Sequence, residues 1–177
     1  FYASKAISTA SGKVTVQGSS LTSGIATAAP GAVTYGYTYG IYLAGGGITA
    51  TGDISLVGQS VASYGIYMYA SGTVFAITSS AGNIIVTGTA TPTTAIEDGD
   101  ATITATLGTV TIRGTSTSGP GLRLGRAVSA GSHVSITGAG ASVGANVNGA
   151  VSAGTGASGG TLTIIGTSTA GNGVNVS

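Results

Sequence analysis

The sequence contains no cysteine, no tryptophan and only nine charged residues among 177, five basic and four acidic. Without cysteine the chain forms neither disulfides nor thiolate metal sites. A net charge of +1 removes the electrostatic case for binding nucleic acid or an anionic membrane. No apolar run approaches the roughly 18 residues that span a bilayer, so the sequence predicts no membrane span.

Glycine is abundant instead, with 33 residues spread so evenly that the longest glycine-free stretch is the one before Gly12. A glycine inside a helix costs roughly 1 kcal/mol relative to alanine, which argues against ordinary helices. The residues between the glycines are mainly Val, Ile, Thr, Ser and Ala, which favour a pleated and half-buried surface. A hydrophobic content of 42% and a net charge near zero argue against disorder. The sequence predicts an all-β protein.

One pattern, Gly-x-apolar-x-apolar-x-Gly, recurs six times along the chain, although the fifth copy has lost its first glycine. Alternate residues of a strand point to the same face, so the two apolar positions of each copy face inward. The predicted core ladder consists of Val14, Val16, Ile54, Leu56, Ile84, Val86, Val110, Ile112, Val134, Ile136, Leu162 and Ile164.

Shorter apolar segments lie between these copies, for example Gly40–Leu43, Gly65–Met68 and Ala101–Ala105. The sequence therefore predicts a parallel β-helix solenoid with three short strands per coil of about 24–30 residues. Residues 1–177 are predicted to form a single β-solenoid segment of about six to seven coils. Residues 31–47 make the second repeat longer than the others, and they fit either a short coil or a loop.

Two polar segments and their neighbours carry a family resemblance. Residues 114–119 (GTSTSG) and 166–171 (GTSTAG), with the flanking TIIG and GVNVS, resemble repeats of filamentous-haemagglutinin-type exoproteins. Those proteins are giant adhesins that Gram-negative bacteria secrete through a two-partner system. The resemblance covers nearly the whole chain and implies a right-handed β-helix, a secreted or cell-surface location and an outer-membrane secretion partner. No segment matches the secretion domain of that family or a receptor-binding module.

Two functions are compatible with this reading. The first is a structural and adhesive extracellular stalk of a bacterial surface exoprotein, with a host glycan or a cell-surface receptor as candidate partner. The alternative is an extracellular filament subunit that stacks end to end through its open β-helix edges. The sequence begins at Phe1 and stops within a strand pattern at Val176, with no charged or Pro-rich cap. An uncapped solenoid edge invites pairing, so we expect further coils or further copies at the ends.

Tyrosine is concentrated in one region, because seven of the eight tyrosines lie between positions 35 and 69. This group is a candidate contact strip for sugar stacking or for a lateral protein contact. The alternative is a ladder that only stabilises one face locally. The residues of the candidate strip are Tyr35, Tyr37, Tyr39, Tyr42, Tyr64, Tyr67 and Tyr69.

The acidic run from Glu97 to Asp100 contains three of the four carboxylates. Its oxygens suit Ca²⁺, but the run matches neither an EF-hand loop nor the nonapeptide of calcium-binding β-rolls. A solvated corner turn is the preferred interpretation. Glu97 and Arg123 occupy the same outward position of consecutive coils, so the sequence predicts an ion pair between them.

Nothing in the sequence favours an enzyme, a cofactor or a metal site. His133 is the only histidine, and four acids are too few for a glycan-cleaving site. Residues 154–159 (GTGASG) match the dinucleotide fingerprint by letter, but no helix pattern follows to bind the phosphates. The outward apolar residues Val57, Ile85 and Ile165 hint at side-to-side packing.

Overall fold

The computed structural model describes residues 1–20, 39–154 and 159–177. These three ranges contain β-strands and no helix, and the strands form three sheets. Every strand pairs in parallel with its counterpart in the next coil. The all-β parallel solenoid with three strands per coil, predicted from the sequence, is therefore confirmed.

The Gly-bounded repeats form the first sheet, of six seven-residue strands. They are β3 (Val14–Ser20), β6 (Ile54–Ser60), β9 (Ile84–Ala90), β12 (Val110–Ser116), β15 (Val134–Gly140) and β18 (Leu162–Ser168). Their order in the sheet follows their order in the chain. We call this the long-strand sheet.

The second sheet contains seven shorter strands. They are β1 (Tyr2–Ala3), β4 (Ile41–Leu43), β7 (Ile66–Met68), β10 (Ile96–Asp98), β13 (Leu122–Leu124), β16 (Val143–Val147) and β19 (Asn172–Val176). We call it the seven-stranded sheet.

The third sheet contains six short strands. They are β2 (Ile7–Thr9), β5 (Ile48–Ala50), β8 (Phe75–Ser79), β11 (Ala101–Ala105), β14 (Val128–Ala130) and β17 (Val151–Ala153). The sequence pattern did not identify β1, β2 or β5.

Equivalent apolar residues of the long-strand sheet stack in register and form two internal columns. The first column is Val14, Ile54, Ile84, Val110, Val134 and Leu162, and the second is Val16, Leu56, Val86, Ile112, Ile136 and Ile164. In the middle coils these side chains are buried, as Ile84 and Ile112 are at 0% exposure. Leu162 is 44% exposed and Ile164 is partly buried, because β18 is an edge strand of its sheet.

Glycine is required where each long strand passes close to the strand that follows it. Gly88, Gly114 and Gly138 occupy the same inward position and pair with one another across the sheet. A Cβ atom on Gly114 would lie 2.9 Å from the carbonyl carbon of Gly121 and 3.0 Å from the Cβ of Leu122. The narrow corner therefore admits only a residue without a side chain.

Serine side chains close the turn after several of the long strands. The hydroxyl of Ser116 accepts a hydrogen bond from the backbone N–H of Gly119 at 3.0 Å, and Ser168 does the same with Gly171 at 3.0 Å. Such a local side-chain contact replaces the backbone partner that a turn lacks. The last residue of each of these strands thus stabilises the turn that follows it.

The second repeat follows the regular coil wherever it is described. Since β3 pairs directly with β6, and β4 pairs with both β1 and β7, residues 39–47 belong to an ordinary coil. Residues 31–38, the rest of the segment for which the sequence left a coil and a loop open, lie outside the described residues.

Candidate functional site

The outward residues at the centre of the seven-stranded sheet form one column whose chemistry changes along the solenoid. In order, they are Tyr2, Tyr42, Tyr67, Glu97, Arg123, Asn146 and Asn175. The first three are aromatic, the next two are an ion pair, and the last two are joined by an amide hydrogen bond of 3.1 Å. The aromatic side chains are therefore confined to the N-terminal part of this face.

Tyr67 is the centre of a group of stacked rings. Its ring centroid lies 4.8 Å from that of Tyr64, 5.1 Å from Tyr39, 5.3 Å from Tyr42 and 5.8 Å from Tyr69. The ring planes of Tyr39 and Tyr67 differ by only 6°, whereas those of Tyr42 and Tyr67 differ by 46°. Contacts of this kind contribute about 0.5–1.5 kcal/mol per pair beyond the area they bury.

Tyr2 extends this group, since its ring lies edge-on to Tyr42 with the centroids 5.2 Å apart. We refer to the six residues Tyr2, Tyr39, Tyr42, Tyr64, Tyr67 and Tyr69 as the tyrosine cluster. The sequence identified five of them and missed Tyr2, because β1 was not recognised as a strand. Tyr35 and Tyr37, also in the predicted contact strip, lie outside the described residues.

The tyrosine cluster is open to solvent at its rim and closed at its centre. Tyr2 is 53% exposed and Tyr69 is 42% exposed, whereas Tyr67 is partly buried. Burial, with smaller contributions from neighbouring phenols and Glu97, raises the pKa of Tyr67 to about 12. Tyr67 is thus a neutral phenol throughout the physiological pH range.

The acidic run does not form a solvated corner, and that prediction is wrong for two of its three carboxylates. Asp98 and Asp100 are 2% and 3% exposed. Asp98 occupies the inward position held by Met68 and Leu124 in the neighbouring coils. Desolvation there raises the pKa of Asp98 to about 7, although its Oδ1 accepts a hydrogen bond from the backbone N–H of Ala101. The other oxygen, Oδ2, is buried without a hydrogen-bond partner.

Asp100 connects three consecutive coils. Its Oδ2 accepts hydrogen bonds from the backbone N–H groups of Ala70 at 2.8 Å and Gly72 at 3.4 Å, in the coil before. Its Oδ1 pairs with the Nη2 of Arg126, at 3.2 Å, in the coil after. The backbone hydrogen bond from Ala70 is the largest of the effects that lower the pKa of Asp100. The turn it holds includes Ser71 in the left-handed region, at a φ of 55°.

The predicted pair between Glu97 and Arg123 is confirmed, with 3.9 Å between Oε2 and Nη1. The side chain of Arg123 is half exposed, so this contact contributes about 0–1 kcal/mol. Desolvation raises the pKa of Glu97, and Arg123 opposes that rise. The pair terminates the tyrosine cluster on its C-terminal side.

Other predicted features are dispersed over the described residues. Val57, Ile85 and Ile165 are exposed but lie apart. Ile85 belongs to one outward column, whereas Val57 is second and Ile165 is last in another column that begins with Gln17. His133 is exposed, and its Nδ1 accepts a hydrogen bond from the backbone N–H of Thr161. Within residues 1–20, 39–154 and 159–177, no three His, Asp or Glu side chains converge on a metal-sized site.

A shallow groove of about 340 Å³ runs between coils near Ser116 and Ser168. Its walls are Ser, Thr, Ala and Gly, and the hydroxyls of Ser116 and Ser168 are already bonded to backbone groups. Among the residues described, no helix is both long and apolar enough to cross a membrane. The tyrosine cluster is therefore the most distinctive surface feature of the described chain.

Comparison with known proteins assigns no relative. No family model, no curated protein and no solved structure matches this chain.

Proposed function

We propose that this chain is a structural and adhesive stalk segment of a bacterial surface exoprotein, held outside the cell. The observation that carries the proposal is the uninterrupted stacking of equivalent strands across three parallel sheets. In such a solenoid each coil contacts only its neighbours, so adding coils adds length without changing the cross-section. Seven stacked strands at about 4.8 Å give an axial rise of about 29 Å.

The surface chemistry supports the same role. Charged groups are few, and several of them are used within the solenoid, as Asp100 is in bridging three coils. The tyrosine cluster offers an aromatic, nearly uncharged surface on one face, and a glycan or a receptor surface is the partner we propose for it. Recognition by such a surface depends on shape and stacking more than on charge.

The location is tested by labelling intact cells of the source bacterium with an antibody against the purified chain, before and after permeabilisation. We expect full labelling of intact cells, and labelling only after permeabilisation would contradict the proposal.

Adhesion is tested separately, by counting coated beads retained on host-cell monolayers. Beads coated with a Tyr67→Ala, Tyr69→Ala double variant serve as the matched control, because this variant lacks two rings of the tyrosine cluster. Circular dichroism verifies that the variant is folded. Equal retention of both bead types would show that the tyrosine cluster does not contribute to adhesion.

A filament subunit is the second candidate, because the first and last strands of the long-strand sheet carry the same apolar repeat. Leu162, Val174 and Val176 continue the internal columns but are 44%, 40% and 62% exposed. The strand at the opposite edge, β3, has the same arrangement of two apolar residues and Gly18. Either a further coil or the β3 edge of a second copy would cover these side chains.

Electron microscopy across a range of concentrations tests the second candidate, with Leu162→Arg as the disrupting variant. Leu107→Arg is the control, because Leu107 is 67% exposed but lies away from the open edge. Filaments formed by the parent chain and by Leu107→Arg, but not by Leu162→Arg, would support stacking. Separate particles of one length at every concentration would reject it.

A further inference from the structure

The tyrosine cluster contains six of the eight tyrosines of this protein, and their phenols are readily oxidised. The sequence has no cysteine and no tryptophan, and its single methionine, Met68, is fully buried. Thiols, thioethers and aromatic rings are the side chains that oxidants usually attack first. Among the described residues, the phenols of the tyrosine cluster are the oxidisable groups that remain accessible.

We infer that the tyrosine cluster is a site of oxidative cross-linking, at which a dityrosine bond joins Tyr67 to Tyr42 of the preceding coil. The two residues are register partners in adjacent strands, and their ring centroids are 5.3 Å apart. Their planes are inclined by 46°, so the two rings are not stacked in parallel. The cross-link requires rotation of these two side chains to bring the carbons ortho to the two hydroxyls into contact.

The other neighbours of Tyr67 are placed less favourably for this bond. Tyr39 lies nearly parallel to Tyr67, at 6°, so the two rings meet face to face. Tyr64 is also stacked, at 27°, and belongs to the same coil. Both of these rings are stacked on that of Tyr67, whereas the ring of Tyr42 is inclined to it. Tyr39 and Tyr42 are inclined to each other as well, by 43° at 5.0 Å, and the Tyr67→Phe variant below distinguishes that pair.

The reaction requires a one-electron oxidant, and hydrogen peroxide activated by a haem peroxidase is the class we name. Each phenol loses one electron and its hydroxyl proton, which gives two phenoxyl radicals. The radicals couple to form one carbon–carbon bond between ortho positions. Each ring then loses its ortho hydrogen as a proton and regains a hydroxyl proton, so that both rings are again phenols. In total two electrons and two protons pass to hydrogen peroxide, which becomes two water molecules.

Coupling within one molecule is favoured over coupling between molecules because the partner ring is already in place. Groups held in a reactive geometry behave as if present at a very high effective concentration. The product joins β4 to β7 covalently and fixes the register of two coils. This consequence does not depend on adhesion or on the location of the protein.

The test is peroxidase oxidation of the dilute protein, followed by dityrosine fluorescence and intact-mass measurement. We expect a monomer with the characteristic blue emission and a mass lower by two hydrogen atoms. Cyanogen bromide then cleaves after Met68 and separates Tyr69 from the other five residues of the cluster. A bond between Tyr42 and Tyr67 leaves the mass loss entirely in the fragment of residues 1–68. A bond between Tyr67 and Tyr69 would keep the two fragments joined.

Three conservative variants assign the residues. Tyr42→Phe and Tyr67→Phe should each abolish most of the intramolecular product, whereas Tyr69→Phe should retain it. The oxidised parent chain should also show a higher unfolding midpoint than the oxidised Tyr42→Phe variant. An unchanged yield in Tyr42→Phe, products that are only intermolecular dimers, or cyanogen bromide fragments that stay joined would each overturn the assignment.

Discussion

Substituting Gly114 by alanine probes the narrowest point of the solenoid. Gly114 is buried in the middle of the long-strand sheet, between Gly88 and Gly138. The added methyl group would lie 2.9 Å from the carbonyl carbon of Gly121 and closer still to its oxygen. Because these are backbone atoms, no rotation of a side chain relieves the contact. The coil must open at this corner or lose pairing with a neighbouring coil.

The expected loss of stability follows from two opposing effects. Overpacking a tight interior costs about 1–3 kcal/mol of stability. Because the added methyl group meets backbone atoms, which cannot rotate away, we take the cost as about 3 kcal/mol. Alanine also restricts the unfolded chain and returns about 0.4–1 kcal/mol. The net destabilisation is therefore about 2 kcal/mol. With a urea dependence of about 2 kcal/mol per molar, the unfolding midpoint falls by about 1 M.

Thr115→Ala is the matched control, since it changes the next residue of the same strand. Thr115 is exposed, and the column it belongs to already contains Ala139 in the next coil. The urea unfolding midpoint of Thr115→Ala should differ from that of the parent by no more than about 0.3 M, because substitutions at exposed positions change the free energy of unfolding by no more than about 0.5 kcal/mol. Urea unfolding followed by circular dichroism measures both variants. If Gly114→Ala were as stable as Thr115→Ala, the close approach at this corner would be refuted.

Three further predictions concern the core and the buried carboxylates. Ile112→Ala leaves a cavity in the core and should lower the free energy of unfolding in urea by about 3–4 kcal/mol. Leu162→Ala, at the exposed edge, should lower it by about 1 kcal/mol. Equal losses would contradict the core assignment. Burial raises the pKa of Asp98 to about 7, so its contribution to stability is complete below the unfolded-state pKa near 4 and is lost as pH rises through about 7. Asp98→Asn should therefore gain on the parent by about 3 kcal/mol between pH 5 and pH 9, and parallel pH profiles would contradict this. Asp100→Ala removes the acceptor for the backbone N–H of Ala70, so hydrogen exchange there should accelerate while exchange in β15 is unchanged.

The regular part of this fold was predictable because each copy of the repeat specifies both the buried face of its strand and the register with the neighbouring coils. Alternation of Val110 and Ile112 with polar residues specifies which face is buried, and the closing Gly114 specifies the register. A one-residue slip would turn the buried residues outward and place a side chain in the glycine corner. Pattern and geometry thus agree at every copy of the repeat.

The polar contacts at the corners were not predictable in the same way. Serine is so frequent in this sequence that Ser116 and Ser168, whose hydroxyls close turns, cannot be distinguished from exposed serines by composition. The burial of Asp98, in contrast, had a signal. Alternation after Ile96 places Asp98 in the same inward position as Met68, but a run of acids suggested a solvated turn instead.

The tyrosine cluster was predictable as a concentration of residues but not as a geometry. The matching strands indicated that Tyr42 and Tyr67 stack, and the structure shows this pair. The central position of Tyr67 depends on Tyr39 and Tyr64, which lie outside the strands and whose side-chain directions do not follow from alternation.

The stacking of coils is tested most directly by distances between pairs of spin labels along one outward column. Because the chain has no cysteine, labels can be introduced at Gln17 together with Arg113, Thr137 or Ile165, which are three, four and five coils away. At about 4.8 Å per coil, the expected backbone separations are about 14, 19 and 24 Å. Distances that increase by this constant step would support the solenoid. Distances that do not increase from Arg113 to Ile165 would contradict it.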